Sequence, residues 1–233
     1  MYIRFFKRFL DFVLSLSAVI VLSPLLLALT VIGAAAMGGN PFFAQPRPGK
    51  KGSDGNERIF SLVKFRTMSN KRDSDGNLLP DSQRLTAYGK FLRKTSLDEL
   101  PELFLIITGK MALVGPRPQL VRDMVFMTAE QRRRHNVLPG LTGFAQVNGR
   151  NNVTWEKKLA MDLEYIDSGI TFKKDVLIIF KTVKKVFAGS DTVRNGTDSD
   201  IDFGDWLMSE GKVDKIGYEE KQREAKELIS VSA

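Results

Sequence analysis

The chain has 233 residues, with 35 Lys+Arg against 27 Asp+Glu, a formal charge of +8 and a pI near 9.6, and this length suits one domain, or one domain plus a tail. It holds no Cys and a single His, His135, which excludes disulfides, thiolate chemistry and multi-His zinc sites. Carboxylates, hydroxyls, Lys and Arg remain for catalysis, with or without a hard metal ion.

Residues Phe12–Met37 carry no charge. As a helix this run would reach about 39 Å, beyond a hydrocarbon core of about 30 Å. It also exceeds the roughly 7–15 apolar residues of a secretory signal. Pro24 interrupts it behind Ser23, and both flanks are basic: Arg4, Lys7 and Arg8 before, Arg47, Lys50 and Lys51 after. Positive residues stay cytoplasmic, so matching flanks put both ends on one side. A re-entrant hairpin with arms of about 18–21 Å satisfies these features. In it, Pro24 bends the chain and the Ser23 hydroxyl takes up a freed carbonyl. A kinked spanning anchor is the alternative.

Residues 41–68 read as a β-hairpin around Asp54-Gly55, a turn signal. Alternation puts Phe60, Leu62, Lys64 and Arg66 on one face of the returning strand. Two aligned cations suit a phosphate or are simply solvated. The run Asp73-Ser74-Asp75-Gly76 lacks the third ligand and closing Glu of a calcium loop. Helices are predicted over 84–94, 97–108, 119–135, 154–166 and 174–188. The last interleaves Val176, Ile179, Phe180, Val183 and Phe187 with lysines. That pattern fits a membrane surface or packing on a soluble core.

From Gly189 onward, 11 acidic residues face 6 basic ones, a net of −5, which leaves +13 on residues 1–188. Basic charge thus collects beside the apolar segment, as binding to anionic lipid requires. The acidic tail is expected to be partly disordered, with a helix near 214–229.

The chemistry-bearing stretch is Arg93-Lys94-Thr95-Ser96-Leu97-Asp98-Glu99-Leu100-Pro101. Ser96 and Glu99 have capping-box spacing, so Asp98 and Glu99 fit first-turn acids facing a helix dipole. Equally, two adjacent carboxylates about 100° apart, with Arg93 and Lys94 upstream, fit phosphorus chemistry or a metal ion. In Gly115-Pro116-Arg117-Pro118, two prolines present one guanidinium at little ordering cost. The loop from Pro139 through Gln146 to Arg150 offers glycines and side-chain amides.

In this order the motifs resemble the monotopic phosphoglycosyl transferases, bacterial sugar transferases in their short PglC-like form. Ser23-Pro24, Phe43-x-Gln45-x-Arg47-x-Gly49, Lys64-Phe65-Arg66-Thr67-Met68, Asp98-Glu99-Leu100-Pro101, Pro116-Arg117-Pro118 and Pro139-Gly140-Leu141-Thr142-Gly143 carry the resemblance. It covers residues 1 to about 188. It implies an Mg²⁺-dependent enzyme that moves a phospho-sugar from a UDP-sugar to undecaprenyl phosphate, releasing UMP. The implied location is the cytoplasmic face of the inner membrane. Asp98 is then the nucleophile, and Glu99 orients the dyad, joins Asp98 in holding the metal or assists proton transfer. Lys64, Arg93 and Arg117 grip phosphate, with Gln146 and Arg150 near the nucleotide. The short form points to an N-acetylated UDP-hexose. No nucleic-acid partner is implied, and oligomeric state stays open, a homodimer included.

The expected fold is therefore α+β and mainly helical, a monotopic membrane protein. Its parts would be a re-entrant helix-break-helix over 1–38, a catalytic domain over 39–188 with a small β-hairpin and amphipathic interfacial helices, and the tail over 189–233.

Overall fold

A computed structural model describes residues 2–149, 153–188 and 201–232. After a π-helical turn over Tyr2–Phe6, helix α1 runs without interruption from Lys7 to Met37, about 46 Å. The expected break at Ser23-Pro24 is thus not a gap between two helices. Pro24 cannot donate to the Ile20 carbonyl four residues back. The Ser23 hydroxyl donates to that carbonyl instead, at 2.8 Å, so the helix continues. It ends at Gly38, in the left-handed region at φ +63°, as a helix C-terminus favours.

One stripe of α1 is docked on the rest of the chain. Asp11, Ser15, Leu29 and Gly33 are buried, and Ala18 and Val19 pack against the Phe60, Leu62 and Ile106 cluster. Beyond Pro24, Leu26 and Leu29 meet Phe65 and Leu92. The Tyr88 hydroxyl donates to Leu29 O at 2.8 Å. At the N-terminal end, Arg8 donates to Ile106 O and Ile107 O at 2.5 and 2.8 Å, and Lys7 donates to Asp175 at 2.7 Å. The opposite face of α1 leaves Phe9, Ile20, Val21, Leu27 and Val31 exposed.

Strands β1 (Phe42–Lys51) and β2 (Glu57–Phe65) form the antiparallel hairpin, with Phe42 opposite Phe65 and Gln45 opposite Leu62. Phe60 and Leu62 point into the core. Lys64, two residues on, shares their face by the period of a strand and reaches the edge of that core.

After α2 (Asp81–Arg84) comes α3 (Ala87–Thr95), capped by Thr86, whose hydroxyl accepts from Gly89 N at 2.9 Å. The single helix expected over 97–108 is instead a 3₁₀ turn, Leu97–Glu99, followed by α4 (Glu102–Ile107). Ser96 makes no capping hydrogen bond with its side chain. It ends α3 with φ +55°, the only positive φ outside glycine among the described residues. Pro101 lacks the donor a continuous helix would need there.

Strand β3 (Ala112–Val114) pairs in parallel with β4 (Gly140–Thr142). Between them, the expected 119–135 helix divides into α5 (Val121–Met124) and a 3₁₀ stretch, Gln131–Asn136. The divider is a capping box. Thr128 Oγ1 accepts from Gln131 N, and Gln131 Oε1 accepts from Thr128 N, a reciprocal pair that starts a helix.

Helices α6 (Phe144–Asn148), α7 (Trp155–Asp167) and α8 (Phe172–Ala188) follow. Helix α8 packs through Asp175 and Ile178, with Ile179 half-buried, and leaves Phe172, Val176, Phe180 and Val183 exposed. One face therefore packs on the core, as one of the two sequence readings expects, and the other face is apolar and exposed.

The described part of the tail is built into the fold as α9 (Phe203–Ser209) and α10 (Lys215–Ser232). Phe203 is buried among Met127, Trp155 and Leu159, and Ala225 among Val121, Met124 and Val125. Arg122 pairs with Asp202. Helix α10 matches the helix expected near 214–229, and over 201–232 the tail packs because acidic charge at α9 meets a cation and apolar residues at helical spacing reach the core. Residues 189–200 lie outside the described set. The architecture as a whole is α+β and mainly helical.

Candidate active site

The turn Leu97–Glu99 joins α3 to α4 and brings three carboxylates together. Asp98 and Glu99 lie in the turn, and Glu102 opens α4 three residues beyond Glu99, on its side of the chain. The side chains have different surroundings. Glu99 Oε1 accepts from Lys64 Nζ at 2.6 Å and from Arg117 Nη2 at 2.8 Å. Burial acts to raise the Glu99 carboxyl, but Arg117 and Lys64 outweigh it and hold it well below the usual carboxylate range. Glu102 is 2% exposed, and its Oε1 lies 3.1 Å from the same Lys64 Nζ. Burial raises Glu102 to about 7, aided by Glu99 and opposed by Lys64.

Asp98 differs from both. It is half-buried and makes no hydrogen bond or ion pair among the described residues. Burial, then the Glu99 charge, raises its carboxyl, against the pull of Lys64, Arg117 and Arg93. It is an unoccupied carboxylate within the field of three cations, which is what a nucleophile toward phosphorus requires.

The cations arrive on separate elements. Lys64 comes from β2. Arg93 sits in the last turn of α3, and its Nε donates to Thr67 Oγ1 at 3.2 Å. Arg117 sits between two prolines on the loop after β3. All three carbonyls of that tripeptide accept a hydrogen bond: Pro116 O from Gly140 N at 3.0 Å, Arg117 O from Arg134 Nη2 at 2.6 Å, and Pro118 O from Arg47 Nη1 at 3.2 Å. The glycines nearby serve close backbone packing. A Cβ on Gly140 would lie 2.1 Å from Gly115 N, and one on Gly143 would lie 2.2 Å from Gly115 O.

Lys64, Arg93, Asp98, Glu99 and Arg117 are therefore brought together. Gln146 is held on α6, where its Nε2 donates to Leu141 O at 3.3 Å and its buried Oε1 has no partner. Arg150 lies outside the described residues. Sequence reasoning passed over Glu102. Its signal was the spacing of Asp98, Glu99 and Glu102, at i, i+1 and i+4, around a lysine on a core-facing strand position.

No group of three or more His, Cys, Asp or Glu side chains is arranged to hold a metal among the described residues. The Asp98 carboxylate and Glu99 Oε2, which neither the Lys64 nor the Arg117 hydrogen bond uses, are hard oxygen donors. That fits a cation bound mainly by substrate phosphates and water, with one or two protein carboxylates.

The coupling of Glu102 to its surroundings gives a testable pH dependence. Its pKa in the folded state exceeds the unfolded value of about 4.3. The bound proton therefore contributes stability that is complete below about pH 4 and is lost as pH rises through about 7. Glu102→Gln stays neutral throughout. Chemical unfolding is expected to show the wild type losing on the order of 2 kcal/mol more than the variant between pH 5 and 8. Parallel stability curves would contradict this.

Comparison with known proteins places the geometry in context. The family model described as bacterial sugar transferase matches residues 2–189. The chain is 44% identical over 180 residues to the sugar transferase EpsL of Bacillus subtilis, covering 77% of this chain and 86% of EpsL. It is 38% identical over 197 residues to the UDP-glucose:undecaprenyl-phosphate glucose-1-phosphate transferase of Klebsiella pneumoniae. It is 34% identical over 200 residues to the undecaprenyl-phosphate galactose phosphotransferase of Salmonella typhimurium. Each of these two matches takes in 78% of this chain and 40% of the longer relative.

Proposed function

The chain belongs to the bacterial sugar transferase family, and from that premise we propose that it moves a phospho-sugar from a UDP-sugar to undecaprenyl phosphate and releases UMP. The observation that carries this reading is the unpartnered Asp98 carboxylate beside Glu99, which Lys64 and Arg117 already occupy. The relatives named for undecaprenyl-phosphate transfer support the same reaction class.

In the proposed reaction an Asp98 oxygen attacks the sugar-bearing phosphorus of the donor. The bond from that phosphorus to the bridging oxygen breaks, and UMP leaves with the electron pair. An aspartyl phospho-sugar remains. A phosphate oxygen of undecaprenyl phosphate then attacks the same phosphorus, the bond to Asp98 breaks, and the lipid diphospho-sugar departs. Splitting the transfer means that two anionic substrates need not be bound at once. Lys64, Arg93 and Arg117 stabilise charge on the phosphoryl oxygens, and Glu99 keeps Lys64 and Arg117 together. Asp98 and Glu99 would hold Mg²⁺ with the donor phosphates, and the ion would supply further neutralisation of that charge.

The site is proposed to work at the cytoplasmic face of the inner membrane, with α1 entering one leaflet. Docked contacts on both sides of Pro24 support this, because a helix tied at both ends to one domain does not carry its far end across about 30 Å of hydrocarbon. The exposed apolar faces of α1 and α8 would lie in the lipid, with Lys173 and Lys184 at anionic headgroups.

The test is UMP release over a panel of UDP-sugars with lipid acceptor, glucose, galactose and N-acetylated hexoses included. Release from at least one sugar is expected. Vesicle binding without UMP release from any donor would leave an anionic-lipid adaptor instead.

A further inference from the structure

Arg134 is 1% exposed and its partner Asp162 is 3% exposed. Removing two charges from water is costly, and apolar residues of similar volume fill such a place at least as well. A buried pair of this kind therefore invites the question of what its remaining donors do. Arg134 Nε and Nη2 donate to Asp162 Oδ2 at 3.0 and 2.6 Å, and Nη1 lies 3.5 Å from His135 Nε2. Nη2 also donates to Arg117 O at 2.6 Å. Arg117 is the residue whose side chain meets Glu99.

The two flanking prolines fix φ at Pro116 and Pro118. Arg117 keeps its own φ and ψ, both narrowed by the proline that follows, and the orientation of its carbonyl reports ψ. A hydrogen bond from a rigid, fully buried guanidinium holds the carbonyl in one direction and so fixes where the Cα–Cβ bond of Arg117 points. Asp162, on α7, holds that guanidinium through two of its nitrogens. A chain of contacts thus runs from α7 through Arg134 and the Arg117 backbone to the Arg117 side chain and Glu99.

We propose that Arg134, oriented by Asp162, is a positioning residue that aims the Arg117 guanidinium at Glu99 and at the phosphate of the donor. This rests on the transferase reading above and extends it to two residues that touch no substrate.

The test is a mutant cycle of four proteins: wild type, Arg117→Ala, the paired replacement Arg134→Met with Asp162→Leu, and all three substitutions together. The paired replacement removes both charges at once and leaves no buried ion unpaired. Its thermal midpoint is expected to stay within a few degrees of wild type, while kcat/KM falls about 10- to 100-fold. On the Arg117→Ala background the same replacement is expected to change kcat/KM by less than about twofold, because residues acting through one group are not additive. Multiplying losses, or an unchanged kcat/KM in the paired variant, would overturn the proposal. Arg134→Lys is a second variant should the first fail to fold. It keeps the charge against Asp162, cannot span both partners, and is expected to repeat the non-additivity. UDP affinity, measured by calorimetry on all four proteins, is read alongside. A wild type that binds UDP but releases no UMP from any donor would remove the transferase reading, and the affinity cycle would then decide the coupling by the same criterion.

Discussion

Asp98→Asn is expected to lower UMP release by about 10⁴-fold or more, while affinity for the UDP-sugar changes by less than about threefold. The size of the first effect follows from chemistry. A carboxamide has the shape of the carboxylate but no anionic oxygen to form the bond to phosphorus. The smallness of the second follows from the structure. Lys64, Arg93 and Arg117 attract donor phosphates directly through hydrogen bonds that do not pass through Asp98, and a Mg²⁺ ion that Asp98 would share keeps Glu99 and the phosphates themselves as ligands. Asp98 makes no hydrogen bond among the described residues, so the substitution removes no support from the fold. Loss of a negative charge also eases the approach of an anionic donor. Turnover checked at saturating donor, with calorimetry for binding, separates the two terms. Activity within tenfold of wild type would exclude Asp98 as the nucleophile.

Glu99→Gln is the second large effect, an expected loss of about 10²- to 10³-fold in kcat. Glu99 Oε1 is the shared acceptor of Lys64 and Arg117. With a neutral amide there, two like charges face each other without an anion between them and move apart. The phosphoryl group then loses oriented cations in the transition state. The same substitution has a second signature. The Glu99 charge contributes to raising Asp98, so removing it lowers the Asp98 pKa. The acid limb of the pH profile of kcat/KM, where Asp98 must ionise, is expected to shift to lower pH. A cation-holding Glu99 produces that shift. Loss of the basic limb with an unmoved acid limb would instead make Glu99 a proton carrier.

The sequence displayed the elements with strong patterns. The hairpin at 42–65 was readable from alternation and a turn signal, and α7 and α8 from helical period. What escaped depended on single backbone torsions and on distant partners. Ser96-x-x-Glu99 and Thr128-x-x-Gln131 have the same capping-box spacing, yet only the second closes the reciprocal pair. Ser96 instead takes a left-handed conformation that ends α3, and local sequence does not fix that choice. Pro24 was correctly visible as a missing donor. So was the Ser23 hydroxyl that takes up the freed Ile20 carbonyl, whereas the unbroken run of helix through the pair was not. At the site, Asp98, Glu99, Lys64, Arg93 and Arg117 were legible as chemistry-bearing residues. Glu102, Arg134 and Asp162 were not, since their importance comes from burial and from partners up to 38 residues away in the chain, as between Lys64 and Glu102. A Cβ at Gly115, Gly140 or Gly143 would collide with neighbouring backbone, a close approach set by segments distant in the chain.

Mass analysis of the intact protein and its peptides, after incubation with donor and no lipid acceptor, tests the covalent route most directly. The mechanism predicts about one equivalent of UMP released per active site and the mass of one phospho-sugar on the peptide bearing Asp98, removed when undecaprenyl phosphate is added. UMP release that begins only once acceptor is present, with no adduct on that peptide, would contradict it.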